Sequence, residues 1–176
     1  QLGQTERLVD LVREGVDCVI RAGEPEDSTM MMRRLASIPE ITCASPEYLA
    51  KYGTPQSVKD LDGHRMVGFL SSRTGTAMPL EFKVGTRFEE VSLPATVTAN
   101  DADTVHHLAR EGFGLVQAPK YRFLDDLEAG RLVEVLTNAP PPPIFLAAYS
   151  PQNRQLSPRV RVFLDWVVHV FEDAAL

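Results

Sequence analysis

Three short segments carry residue types able to hold a small polar ligand. Arg21, Ala22 and Gly23 end a compact apolar run, VDCVIRAG, whose first part reads as a buried strand. Ser71, Ser72, Arg73 and Thr74 follow a second apolar run, MVGFL, and their hydroxyls and guanidinium suit a carboxylate. Asn100 and Asp101 stand at a helix start, where free backbone N–H groups attract an anion. Asp101 also competes for those groups as a side-chain cap. In open α/β sheets ligands lie beyond the carboxyl ends of strands, and all three segments occupy such places. Taken singly, each reads first as a solvated loop or an ordinary cap; it is their joint placement at strand ends that points to a ligand. The chemistry they share is recognition of an anion rather than its transformation.

Motifs for other chemistry are missing. The sequence has no G-x-x-x-x-G-K-[ST], no C-x-x-C, no H-E-x-x-H and no G-x-S-x-G. Gly112 and Gly114 form a G-x-G, but no third glycine follows and a strand comes next, so this is no dinucleotide fingerprint. Asp101 and Asp103 lack the downstream Gly and Glu of a calcium loop. His106 and His107 are adjacent on a helix, about 100° apart, and read as one exposed and one packed histidine rather than a chelate. No metal, no cofactor and no catalytic constellation is expected, and the chain is read as a binding module rather than an enzyme.

The chain of 176 residues has a net charge of -6, which repels phosphate backbones and argues against direct nucleic-acid contact. No apolar run approaches the roughly 18 residues that span a bilayer, so no membrane partner is expected. No secretory signal is legible, and the first residue is Gln rather than Met, so the natural N-terminus is expected upstream. Cys18 and Cys43 lie in apolar, strand-like surroundings. They read as reduced thiols of a cytoplasmic protein; the competing reading, a redox pair, lacks a neighbouring cluster of positive charge.

The elements that must position these residues alternate between strand and helix. The pattern predicts a short helix over residues 6–14 closed by Gly15, a strand over 16–22, and a strand at 1–4 that would complete a βαβ unit. Residues 30–35 suit helix or strand; extended structure is favoured because 38–44 then reads as the partner. Ser45-Pro46 opens a helix ending near Gly53, residues 61–64 make a turn, and 66–70 a strand. Residues 91–99 alternate apolar and other side chains, as a half-buried antiparallel strand would, with Pro94 near an edge or bulge. A helix with Ala102, Val105, Leu108 and Ala109 on its inner stripe ends at Gly112. A strand at 115–118, a helix at 119–129 closed by Gly130 and a strand at 132–136 follow. Four prolines, 140–143, read as a stiff linker, with a ligand for a proline-binding module as the other reading. A strand at 144–149 and a helix opened by Ser157-Pro158 complete the chain. That helix has Val160, Phe163, Leu164, Val167 and Phe171 on one face and a second apolar stripe at Val162, Trp166 and Val170, which calls for two partners.

This alternation argues an α/β fold of two subdomains. The segments VDLVREGVDCVIRAGE, TCASPEYLAKYGTP, DLDGHRMVGFLSSRTG, TANDADTVHHLAREGFGLVQAP, AGRLVEVL and YSPQNRQLSPRVRVFLDWV, in this order, closely resemble the effector-binding domain of LysR-type transcriptional regulators. The resemblance covers nearly the whole chain. It implies a periplasmic-binding-protein type 2-like fold: two Rossmann-like subdomains, residues 1–43 with 147–176 and residues 44–146, joined by a two-strand hinge at which Cys43, Ala44 and Ser45 would lie. It implies an effector, a small organic anion, in the cleft between subdomains, with Arg21, Ala22 and Gly23 on one and Ser71, Ser72, Arg73, Thr74, Asn100 and Asp101 on the other. DNA would be bound only through an N-terminal winged helix-turn-helix absent from this sequence. A homodimer or homotetramer is implied for the full-length protein, with residues 101–111 and the edge near 1–4 as candidate contacts. Members of the family begin the domain with a strand and a helix that precede QLGQTERLVDLV; neither is in this sequence. The runner-up function is a transporter's solute-binding protein of the same fold.

Overall fold

The computed structural model describes residues 3, 9–23, 30–72, 74–152 and 157–173. In chain order the elements are β1 (Val19–Ala22), β2 (Met30–Ile38), β3 (Glu40–Ala44), α1 (Pro46–Tyr52), β4 (Met66–Phe69), β5 (Leu80–Val84), β6 (Arg87–Val91), β7 (Ala95–Ala99), α2 (Ala102–Arg110), β8 (Val116–Pro119), α3 (Leu124–Glu128), β9 (Val133–Val135), β10 (Ile144–Pro151) and α4 (Pro158–Asp173). The chain divides into two compact units, one of Pro39–Pro142 and one of Val9–Ile38 with Pro143–Leu176. The crossings therefore fall at 38/39 and 142/143, where the sequence placed them at 43/44 and 146/147.

Pro39 explains the first crossing. It has no N–H to give a ladder, and it separates two strands that belong to different sheets. Strand β2 pairs with β10, whereas β3 pairs with β8 and β9. The two runs are extended as expected, but they are not partners of one another.

The smaller unit is a sheet in the order β1-β10-β2, with both pairings antiparallel. Alternation sends Ile20, Leu35, Leu146 and Ala148 to one face, where Val160, Leu164 and Val167 of α4 cover them. Val19, Ala147 and Tyr149 point to the other face and enclose Leu11. Leu11 sits in a turn rather than the expected helix: residues 11–15 form hydrogen-bonded turns, with Glu14 N–H on the Asp10 carbonyl (2.9 Å) and Gly15 at φ 66°. The remainder of that expected helix, residues 6–8, and the expected strand at 1–4, apart from Gly3, lie outside the described residues. The strand expected at 16–22 begins only at Val19.

In the larger unit alternate strand residues feed two cores. Ala44, Met66 and Leu115 join Tyr48 of α1 and Phe82 of β5; Cys43, Val67 and Val116 join Val105 and Ala109 of α2. Two expectations are corrected here. Residues 91–99 are not one antiparallel strand: β6 stops at Val91, residues 92–94 belong to no strand, and β7 runs parallel to β4. Pro94 again supplies the break, and its carbonyl accepts from Met66 N–H (3.1 Å). The helix expected at 119–129 is a 3-10 turn, Lys120–Arg122, followed by the short α3. The β5–β6 hairpin, turning through Gly85 at φ 63°, was not read from the sequence at all. Residues 140–143 carry neither helix nor strand. No helix among the described residues is long and apolar enough to cross a membrane.

Candidate ligand site

Strands β4 and β7 set the geometry of the larger unit's candidate residues. They are parallel neighbours, with Phe69 opposite Ala99 and the Leu70 N–H on the Ala99 carbonyl (2.8 Å). Their carboxyl ends thus emerge side by side. Residues 71–76 leave one and residues 100–101 leave the other, so Ser71, Ser72 and Thr74 are brought to the same sheet end as Asn100 and Asp101. Arg73 lies outside the described residues.

The loop after β4 is closed by its own backbone: Ser71 N–H donates to the Thr76 carbonyl (3.0 Å) and Gly75 N–H to the Ser71 carbonyl (2.9 Å). The Thr74 and Thr76 hydroxyls are paired (2.8 Å). Ser72 is exposed at the loop's outer turn. The start of α2 is taken by Asp101, whose carboxylate accepts from the Thr104 N–H (2.7 Å) and hydroxyl (2.6 Å). The hydroxyl and then the amide of Thr104 hold the Asp101 carboxyl below its ordinary pKa. The carboxylate serves the cap, and an incoming anion would have to compete with it.

In the smaller unit Arg21 lies on β1 opposite Ala147, on the face that α4 does not cover. Its guanidinium sits 4.9 Å from the centre of the Tyr149 ring. Its Nε is buried and has no hydrogen-bond partner. Tyr149 is itself buried and donates its hydroxyl to the Gly23 carbonyl, while Gly23 N–H donates to the Phe145 carbonyl (2.9 Å). Gly23 has φ 83°, a conformation that strains any side chain. Ala22 and Gly23 are exposed, so this strand end offers backbone to solvent beside a cation with a spare donor.

Cys43, Ala44 and Ser45 are inside the larger unit. Cys43 and Ala44 belong to β3 and are fully buried, and Ser45 caps α1 by accepting from the Tyr48 N–H (3.2 Å). Burial, and then the charge of Glu134, push the Cys43 thiol up to about 12, with Lys120 opposing. Such a thiol is inert at neutral pH. Burial also raises Cys18, followed by Asp17. Both cysteines are free.

The most elaborate polar cluster went unread in the sequence. Asp126 is 3% exposed and accepts from His106 and Arg131, with the Arg110 guanidinium 3.6 Å away. His106 also meets the edge of Phe123 (5.0 Å), and His107 is exposed, as expected of the pair. The partners come from α2, α3 and the turn after it, and no short motif announces them. Among the described residues no group of His, Cys, Asp or Glu is placed to hold a metal ion.

Comparison with known proteins fits this architecture. The family profile described as the LysR substrate binding domain matches residues 1–172. The HTH-type transcriptional regulator YhjC of Escherichia coli (strain K12), itself called uncharacterized, is 33% identical over 98% of this chain and 58% of its own length. CrgA, an HTH-type transcriptional regulator of Neisseria meningitidis serogroup B, is 32% identical over 95% of this chain and 55% of its own. The solved regulatory domain of CrgA from Neisseria meningitidis matches with a TM-score of 0.76 at 29% identity, covering 93% of this chain and 79% of that one. The chain spans between half and two thirds of the length of these curated relatives. The fold is the periplasmic-binding-protein type 2-like fold of LysR regulatory domains, and the family favours a regulator's domain over a transporter's solute-binding protein. The chain belongs to the LysR substrate-binding domain family.

Proposed function

We propose that this chain is the effector-binding domain of a cytoplasmic LysR-type transcriptional regulator, that its effector is a small organic anion, and that it performs no chemistry on it. The observation that carries the ligand claim is the parallel pair β4–β7. In support, β4 and β7 end side by side, Ser71, Ser72 and Thr74 follow one and Asn100 the other, and ligands of open α/β sheets bind beyond such ends. In the other unit, Arg21, Ala22 and Gly23 are a separate candidate for ligand contact, supported by the unpartnered Arg21 Nε. DNA binding belongs to a separate helix-turn-helix of the full-length protein, in keeping with the net charge of -6 of this domain. Dimers or tetramers are proposed for that full-length protein.

The test is a thermal-shift screen of the full-length protein against small mono- and dicarboxylates, followed by a gel shift. A raised melting temperature for one of them supports the reading. So does specific DNA binding by the full-length protein but not by these 176 residues at physiological salt. Specific DNA binding by this chain alone, or turnover of the ligand, would contradict it.

A further inference from the structure

The β5–β6 hairpin is fastened to its unit along the edge of β5 that β6 leaves free. There the Gln117 carboxamide takes the place of a neighbouring peptide group. Its Oε1 accepts from the Glu81 N–H (2.8 Å), and its Nε2 donates to the Glu81 carbonyl (2.8 Å). The same Nε2 donates to the Thr42 hydroxyl (2.9 Å), so one side chain of β8 ties β5 to β3. Two residues along, Lys83 N–H donates to the Pro140 carbonyl (3.1 Å). Leu80 and Phe82 enter the core, whereas residues 83–90 are exposed throughout.

This fastening rests on a pair of carboxyls. Glu40 lies two residues from Thr42, hence on the same face of β3, and Glu81 is the residue that Gln117 holds over that face. Both are half-buried. Pro119 of β8 stands opposite Glu40, and Gln117 and Val135 stand opposite Thr42, so β8 and β9 bring this face no charge. Lys120 and Glu134 pair with each other (3.2 Å) on the other face, beside Cys43. On the hairpin, Glu81 shares its face with Lys83 and with Glu90, which stands opposite it; both are exposed. Burial, and then the charge of Glu81, raise the Glu40 carboxyl to about 7; burial, and then Glu90, raise Glu81. Two carboxyls so placed are costly to ionise together.

We propose that the β5–β6 hairpin is a proton-controlled flap, seated through the Gln117 carboxamide while Glu40 is protonated and loosened when Glu40 ionises beside Glu81. Loosening puts the Glu40 carboxylate in water and away from Glu81. It also gives up the Lys83–Pro140 bond. The device therefore acts on chain next to both crossings between the units, since Glu40 follows Pro39 at the first and Pro140 precedes the second at 142/143.

The sign is fixed by linkage. The seated hairpin favours the protonated carboxyl, so its advantage is complete below the ordinary value of 4.5 and is lost as pH rises to about 7. Hydrogen exchange of the full-length protein tests this, read as protection factors on peptides from Leu80–Val91 and from Met66–Phe69, with and without sub-denaturing urea. The hairpin amides should exchange by local opening that urea barely affects, as small openings do. Their protection should fall about tenfold or more from pH 4.5 to pH 7 and then level off. Glu40→Gln keeps the side chain's size and removes the charge, so hairpin protection should become independent of pH. Gln117→Leu should lower hairpin protection at every pH while β4 stays protected. Three results would overturn the proposal: hairpin amides with the same urea dependence as β4, which would mean that the hairpin opens only with the whole unit; protection that does not fall over this range; and a fall that persists in Glu40→Gln.

Discussion

Asp126 carries the densest polar interactions among the described residues. Burial pushes its carboxyl up, but hydrogen bonds from Arg131 and His106, with the charge of Arg110, overcome burial and hold it below its ordinary pKa. The sign follows: the carboxylate's contribution is present above the ordinary carboxylate range and is lost as pH falls through the depressed value. Asp126→Asn should cost about 1–3 kcal/mol in denaturant unfolding at neutral pH and should remove part of the acid sensitivity. Glu40 has the opposite sign. Burial, and then the charge of Glu81, raise it to about 7. Its neutral form is favoured in the folded chain, so its contribution is present below the ordinary carboxylate range and lost as pH rises through about 7. The melting temperature should fall as pH rises from the ordinary carboxylate value of about 4.5 to about 7, and Glu40→Gln should flatten that slope. Neither residue was legible in the sequence, because their partners come from other elements. The places of Arg21 near the end of β1, and of Ser72 and Asn100 after β4 and β7, were legible as strand ends from the apolar pattern.

At the scale of elements, local signals held at the caps of α1 and α2 but not at Gly15, where the expected helix is a turn. Ser45-Pro46 and Gly53 bound α1, and Asp101 opens α2, each where the sequence placed it. Pairing was not legible, since it depends on residues far apart. Hence β2 and β3 were read as partners across Pro39, and β7 as antiparallel. The β5–β6 hairpin did leave a signal, LEFKV and RFEEV around Gly85-Thr86, which alternates with period two in its first strand. Gly114 marks where β8 approaches β4. A Cβ there would lie 2.7 Å from the Met66 carbonyl carbon and 2.8 Å from the Arg65 carbonyl oxygen. Backbone cannot yield as a side-chain tip does, so Gly114→Ala should destabilise the chain by about 1–3 kcal/mol, read as a lower denaturant midpoint.

At the scale of the molecule, strand–helix alternation and the proline run point to two subdomains, and the chain divides into two compact units whose crossings lie beside Pro39 and at Pro142–Pro143. In the proposed function this domain holds a small organic anion at the strand ends. Calorimetric titration tests it most directly, using the full-length protein and whichever carboxylate most raises its melting temperature. Ser72→Ala should bind it about 1 kcal/mol more weakly and melt as wild type does; Arg21→Ala should also weaken it. If both variants bind as tightly as wild type, the ligand lies elsewhere and the claim is contradicted.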